Sequence, residues 1–245
     1  MLKKGYVLRP NFWRGPTDND FGASLQVKNA VWRNPEMVLE QLTFTPAEGE
    51  NTLPTVKALY NMPEVSAKLE MTYRMNNDGA LQVTQQLRAD VSRKDVPDMF
   101  RFGMQLVMPK QFDRIDYYGR GPEENYADRN HSTFMGRYSQ MVSDQFYPYV
   151  RPQETGSKSD VRWWKVVDVD GRGLAFSAEQ PFFATALHYL TSDLDDGDKK
   201  HQRHSGELHE RDLTCVSIDG RQMGLGCVDS WGSLPLPEYC LPYGD

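Results

Sequence analysis

Short runs of alternating apolar and polar residues, separated by turn residues, make up most of the chain. Alternation with a period of two is typical of β-strands, because successive side chains on a strand point to opposite faces. The clearest runs lie at 38–44, 56–60, 69–75, 161–169, 174–177, 182–187 and 213–218. The sequence therefore predicts successive antiparallel strands and an all-β fold.

Two segments give the most definite local predictions. Asn76 to Gly79 predicts a tight hairpin turn between two strands, because Asn and Gly tolerate the positive φ that primed turns require. In the second segment, 100–108, apolar residues alternate with a face that includes Arg101 and Gln105. This alternation predicts a half-buried strand, with one face on a core and the other toward solvent.

Helical signals are few and short. Residues 23–33 carry apolar residues at loosely helical spacing, and an Asn-Pro pair closes that segment. Pro122, just ahead of two glutamates, suits the first turn of another short helix with acidic residues at its positive end. We therefore expect a large antiparallel two-sheet sandwich with one or two short helices, forming a single domain over residues 1–245.

Charge and composition exclude several classes of partner. The formal net charge of −6 and the pI near 5.4 disfavour nucleic acid, since its binding depends on clustered Lys and Arg. No window of about 18 apolar residues exists, and the first residues lack the apolar run of a secretion signal. We expect a soluble chain that binds no membrane, in the cytoplasm or the periplasm. Three cysteines without C-x-x-C spacing indicate neither a disulfide framework nor a zinc site.

A strongly charged segment lies at residues 193–211. It has too few apolar residues to bury a strand face, which predicts a long exposed loop. His201, His204 and His209 lie within it, but a zinc site needs a second cluster of ligands. No metal site is predicted there.

The segment 9–22 combines turn-forming and aromatic residues unusually densely. Its prolines restrict φ, its glycines permit positive φ, and the side chains of Asp18 to Asp20 can bond back to the main chain. Two aromatic residues, Phe12 and Trp13, are expected to anchor it to a core. The sequence predicts a rigid loop here, in which the acidic residues cap turns rather than bind calcium.

Five motifs, in order along the chain, resemble those of a known family. They are RPNFWRGPTDNDFG at 9–22, YGRGPEENYADR at 118–129, YPYVRPQETG at 147–156, IDGRQMGLG at 218–226 and DSWG at 229–232. Together they resemble the C-terminal small-chain, mutarotase-like domain of the lactase-type bacterial β-galactosidases of glycoside hydrolase family 2. The likeness extends over nearly the whole chain.

This resemblance implies a galactose-mutarotase-like supersandwich that forms the C-terminal part of a longer multidomain enzyme. Because residues 241–245 end on a turn signal, we expect the last strand of that domain to be missing. In the family both catalytic glutamates lie on a separate TIM barrel, so we expect no catalytic residue and no hydrolysis by this chain alone. The family hydrolyses terminal β-D-galactosides such as lactose. Its Mg and Na bind mainly elsewhere, its members form homo-oligomers, and no cofactor is expected in this domain.

Trp231 is the substrate-binding residue that the resemblance implies. In the family, the tryptophan of the Asp-Ser-Trp motif reaches across the domain boundary and supports the sugar bound at the barrel. Trp231 and nearby loops are therefore expected to complete that site, with a galactoside and the other domains of the parent enzyme as partners. The chemistry is suitable, because an indole face packs against the C–H face of a pyranose.

Two alternative functions remain open from the sequence. A self-contained aldose 1-epimerase needs a histidine acid and a carboxylate base, and His131 and His188 are the candidate acids outside the charged segment. A carbohydrate-binding module predicts exposed aromatic residues, which Tyr147, Tyr149 and one member of the Trp163-Trp164 pair would supply. Neighbouring residues on a strand point to opposite faces, so the other tryptophan is expected in the core.

Overall fold

The computed structural model describes residues 1–47 and 53–244, and its regular elements are mainly β-strands. The strands are β1 (Arg9–Asn11), β2 (Val38–Thr45), β3 (Thr55–Met62), β4 (Ala67–Met75), β5 (Leu81–Ala89), β6 (Arg101–Met108), β7 (Arg114–Gly121), β8 (Phe134–Met141), β9 (Lys158–Val167), β10 (Gly173–Leu187) and β11 (Thr214–Gln222). The α-helices are α1 (Asp18–Gly22) and α2 (Leu25–Lys28). Short 3₁₀ turns lie at Ala30–Trp32, Pro63–Val65, Ser143–Gln145, Thr191–Asp193, Ser205–Glu207 and Pro237–Tyr239.

The strands form two antiparallel sheets, so the predicted all-β fold with two sheets and short helices is confirmed. The larger sheet has the order β1-β6-β11-β10-β9-β7-β8. Its central strand β10 pairs with β11 on one side and with β9 on the other, where the register shifts between Ser177 and Phe182. At one edge, β1 pairs with β6, with Asn11 opposite Gly103. The chain therefore leaves this sheet edge directly into the rigid segment that follows.

One face of the seven-stranded sheet carries a large hydrophobic core cluster. At its centre Tyr117 packs between Trp164 and Tyr138, with ring centroids 4.9 and 5.3 Å apart. Trp164 is fully buried while Trp163 is only half-buried, which confirms the prediction that the two indoles point to opposite faces of the strand. Burying each large apolar side chain stabilises the fold by about 2 kcal/mol, so this cluster fixes the sheet.

The strand predicted at 100–108 forms as β6, but the expectation that it is half-buried is wrong. Leu106 lies in the core, whereas Arg101 and Gln105 on the opposite face are each only 3% exposed. The Gln105 amide donates to the hydroxyls of Thr191 at 3.0 Å and Ser217 at 3.3 Å. A polar layer therefore covers this face, because buried polar groups are stable when they bond to one another.

The smaller sheet has the order β2-β3-β4-β5 and contains the predicted hairpin. β4 and β5 pair in register up to Met75 opposite Leu81, across the turn at Asn76 to Gly79. Gly79 has φ +80°, and the Asn76 side-chain oxygen accepts hydrogen bonds from the Asp78 and Ala80 N–H groups at 3.1 and 2.7 Å. The hairpin prediction is confirmed.

The described residues group into two compact units. One comprises Met1–Ala30 and Met99–Leu241 and contains the seven-stranded sheet, and the other comprises Val31–Asp98 and Pro242–Asp245 and contains the four-stranded sheet. The single domain over 1–245 stays a prediction, as does the missing last strand, and Asp245 in the predicted closing turn lies outside the described residues. In 1–47 and 53–244, no helix has the length and apolar character needed to cross a membrane.

The two helical expectations fare differently. Residues 23–33 are helical but interrupted, since they form α2 and a 3₁₀ turn. The helix expected after Pro122 is wrong, because that segment is a bend. Asn125 is fully buried there, its N–H donates to Ser157 O at 2.8 Å, and its side-chain oxygen accepts from Ser159 N–H at 2.8 Å. These long-range bonds outweigh a local preference for helix.

Candidate functional site

The rigid segment after β1 ends in a well-capped helix. Thr17 is the N-cap of α1, and the Asp20 N–H donates to its hydroxyl at 3.1 Å. In return the Thr17 N–H donates to the Asp20 carboxylate at 2.8 Å. This capping box satisfies main-chain groups that a helix start otherwise leaves unpaired. The interpretation of Asp20 as a capping residue is confirmed.

A buried ion pair joins this segment to the residues after β11. Arg14, 2% exposed, donates to both carboxylate oxygens of Asp20 at 2.8 and 3.1 Å. The same guanidinium donates to the carbonyls of Met223 at 2.9 Å and Gly224 at 3.2 Å. Because all these partners are buried together, the charge is satisfied and the two segments are held in one arrangement.

Asn19 holds the segment that carries Trp231. Its side-chain amide donates to Leu225 O at 3.0 Å and Ser233 O at 2.8 Å, and its oxygen accepts from the Gly232 N–H at 2.6 Å. Close to these bonds, a Cβ added to Gly22 would lie 2.8 Å from the Gly232 Cα. The close packing of these two segments therefore requires glycine at position 22. The sequence indicated a turn-capping role for Asn19 but not this long-range one.

Trp231, the predicted substrate-binding residue, presents its indole to solvent while one edge of the ring is fixed. The side chain is 67% exposed, and its Nε1 donates to the Asp18 carbonyl oxygen at 2.9 Å. A large, oriented and exposed aromatic face is the type of surface that binds an apolar face of a ligand. The role of Trp231 in binding a sugar stays a prediction.

Trp231 lines an open cavity of about 570 Å³ within the unit that contains the larger sheet. Ligand sites of this kind are usually concave, with aromatic walls and a few polar groups, and measure about 300–1,000 Å³. Its lining residues include Asp18, Asp128, Arg129, Tyr149, Glu154 and Trp231.

Two of the three carboxylates in the cavity wall accept hydrogen bonds from the protein on both oxygens. Asp128 accepts from the Leu225 and Gly226 N–H groups at 3.0 and 2.8 Å. Asp18 accepts from Arg151 at 3.0 Å and lies 2.5 Å from Lys200. Burial alone raises the pKa of Asp18, but the hydrogen bonds from Lys200, Arg151 and Gln153 hold it below its usual value. Both groups therefore serve as fixed walls.

Glu154 is the third carboxylate, and its side chain is almost completely buried. It is 7% exposed, and Arg101 donates to its Oε1 at 2.7 Å while also lying 3.2 Å from the Asp219 carboxylate. Burial raises the pKa of Glu154, and the neighbouring Arg101 opposes that rise. Arg101 is therefore the ion-pair partner of Glu154.

The two histidines that were candidate acids for an epimerase lie away from the cavity. His131 is exposed, and His188 is buried with Nδ1 2.8 Å from the Leu213 carbonyl oxygen. Neither lines the cavity, which weakens the epimerase alternative. In the part of the chain that the structure describes, no three His, Cys, Asp or Glu side chains come together as a metal site.

Comparisons with known proteins extend over the whole chain. The family model described as the β-galactosidase small chain matches residues 1–245. β-Galactosidases from Priestia megaterium and Lactobacillus delbrueckii subsp. bulgaricus are 34% and 35% identical over 98% and 94% of this chain. One from Vibrio cholerae is 28% identical over 96%. In each case the chain spans only 22% of the relative, about a fifth of its length.

Proposed function

We propose a function from one premise: the chain belongs to the β-galactosidase small-chain family. In this proposal it forms the C-terminal domain of a longer enzyme that hydrolyses terminal β-D-galactosides such as lactose. It supplies Trp231 and the loops around it to a sugar site whose catalytic carboxylates lie on another part of that polypeptide. The observation that carries the proposal is the exposed Trp231 indole, held by the Asp18 carbonyl at the cavity wall.

The local structure supports a platform role for Trp231 rather than a packing role. A tryptophan that only fills a core is buried, whereas this one is 67% exposed and still oriented by its Nε1 hydrogen bond. Asn19 fixes the neighbouring Gly232, so this segment loses little conformational freedom when a ligand binds. An indole in this state suits the C–H face of a pyranose, with polar groups nearby for its hydroxyls.

The same cavity supports a non-catalytic role for this chain taken alone. Glycoside hydrolysis needs two carboxyl groups that flank the scissile bond, one as acid and one as nucleophile or base. Of the cavity carboxylates, Asp18 and Asp128 accept hydrogen bonds from the protein on both oxygens, whereas Glu154 accepts from Arg101 on Oε1 alone. A single carboxylate does not meet the requirement, so hydrolysis of a β-galactoside by the purified 245-residue chain would contradict the proposal.

Partners and cofactors follow from the same proposal. The domain binds a galactoside at its boundary with the other domains of the parent, and it brings no metal of its own, the Mg and Na of the parent being held mainly elsewhere. The parent is a homo-oligomer. The net charge of −6 agrees with a neutral sugar rather than a nucleic acid as the ligand.

Substitution of Trp231 tests the platform role. In the native polypeptide that contains this chain, Trp231→Ala is expected to raise KM for lactose about tenfold or more, because a buried aromatic contact with the sugar is lost. Trp163→Ala is the matched control, since Trp163 is also a partly exposed indole but does not line the cavity. Equal kinetics for the two variants would rule out the platform.

A further inference from the structure

Glu154 lines the cavity, and one of its two carboxylate oxygens is committed to the protein. Oε1 accepts from Arg101, whereas Oε2 accepts no hydrogen bond from the residues that the structure describes and is not sealed off from solvent. The side chain is nevertheless more than nine-tenths buried, at 7% exposed. A buried acceptor without a partner is costly unless water or a ligand bonds to it.

We propose that Glu154 is the hydrogen-bond acceptor, on the floor of this cavity, for a hydroxyl group of a neutral pyranose that lies against Trp231. Both residues line one cavity of about 570 Å³, which is large enough for a sugar ring with its hydroxyls. The carboxylate and the indole supply the two kinds of contact that a pyranose needs, one for a hydroxyl and one for its C–H face.

The charges around the cavity favour a neutral ligand with hydroxyl groups. Arg101 balances Glu154 from behind, and Asp18 and Asp128 are engaged by internal donors, so none of these groups requires a charged partner. An anionic ligand would meet three carboxylates in the wall. A cationic ligand would meet Arg129, whose side chain is 51% exposed. A hydroxyl donor is the group that Oε2 accepts without either conflict.

Glu154 is also held in place before a ligand arrives. Its N–H donates to the Gly15 carbonyl oxygen at 2.9 Å, and Arg101 fixes the carboxylate from the other end. Gly15 is packed so closely that an added Cβ would lie 2.7 Å from Leu194. An acceptor fixed at both ends loses little freedom on binding, which strengthens its bond to a ligand.

Glu154→Gln in the native polypeptide tests the inference, which rests on the proposed function. The variant is expected to raise KM for lactose and the inhibition constant of galactose about tenfold or more, since hydrogen bonds to charged groups are strong. The value of kcat should change little, because the bond is made in the bound substrate as well as in the transition state.

Asp219→Asn is the matched control. Asp219 is the other carboxylate on Arg101 and is fully buried, but it does not line the cavity. If both variants lose the same affinity, Glu154 acts only through Arg101 and the inference is wrong. Glu154→Asp keeps the charge but withdraws the oxygen by one methylene, so it replaces the glutamine variant if that variant does not fold.

Deoxygalactose inhibitors give an independent readout. One of the 2-, 3-, 4- and 6-deoxy sugars should inhibit the wild type about tenfold less well than galactose, and this difference should disappear in Glu154→Gln. If every deoxy sugar shows the same loss in both proteins, the inference is wrong. Loss of affinity in Trp231→Ala without any loss in Glu154→Gln would leave the proposed function standing and overturn only this inference.

Discussion

At the scale of single residues, Lys158 is a buried cation that costs stability. It is 2% exposed, and burial lowers its pKa from 10.5 to about 8, although the negative charges of Glu124 and Glu123 partly oppose this lowering. Because the folded pKa lies below the unfolded one, the cost is complete below about pH 8 and disappears as the pH rises to 10.5. Lys158→Met is therefore expected to raise the free energy of unfolding at pH 7 by up to about 3 kcal/mol, since one pKa unit corresponds to about 1.4 kcal/mol.

Urea unfolding at pH 7 and pH 10 measures this effect. The advantage of Lys158→Met should shrink at pH 10, where the wild-type amine is mostly neutral in the folded state. Lys165→Met, on the same strand but exposed, is the control and should change stability by less than about 0.5 kcal/mol at either pH. An advantage that is absent at pH 7, or equal at both pH values, would contradict the assignment.

The sequence predicted the orientation of some side chains but not the partners of the site residues. It predicted that Trp163 and Trp164 point to opposite faces, because the strand period alone determines this. It did not predict that Glu154 pairs with Arg101, since the pair joins a loop to β6 across 53 positions. Lys158 gave no signal either, because a lysine at the start of a strand is exposed in most proteins.

At the scale of elements, the hairpin between β4 and β5 depends on the Asn76 side chain. Its oxygen accepts the N–H groups of Asp78 and Ala80, which closes the turn before Leu81 enters β5. Asn76→Ala is expected to lower the free energy of unfolding by about 1 kcal/mol, because exposed hydrogen bonds contribute about this much. Urea denaturation measures it, and Asn77→Ala, in the same turn, should have a smaller effect. Equal losses would mean that the side-chain bonds do not stabilise the turn.

Local sequence patterns predicted this hairpin correctly but were wrong for the segment after Pro122 and for the exposure of β6. The turn and both strands lie within 23 residues, so period and turn residues were sufficient. Pro122 gave an equally local signal for a helix, but the buried Asn125 bonds to Ser157 and Ser159 outside the segment. For β6, alternation located the strand and misjudged its exposure, because Arg101 and Gln105 are buried with hydrogen bonds to Glu154 and Thr191.

At the scale of the whole molecule, the fold class was predictable and the grouping of strands was not. Short alternating runs require antiparallel sheets, and the structure has two of them. The strand order β1-β6-β11 brings together residues from the beginning, the middle and the end of the chain. This order depends on which faces pack against each other, and the local patterns along one sequence do not show that. The cavity is a consequence of it, because Asp18, Glu154 and Trp231 are far apart in the sequence and line one cavity in the folded chain.

The edge strand β2 should govern how the molecule behaves in concentrated solution. All eight of its residues are exposed, and Leu42 and Phe44, two positions apart, are 64% and 65% exposed. An edge strand with unpaired main-chain groups and exposed apolar side chains is a template for pairing with another chain. The double substitution Leu42→Lys and Phe44→Lys is therefore expected to reduce concentration-dependent self-association, measured by sedimentation velocity. Val169→Lys adds charge at a position that is 90% exposed but outside the strands, and it should leave association nearly unchanged. If Val169→Lys reduced association as much as the double substitution, net charge rather than the β2 edge would be the cause.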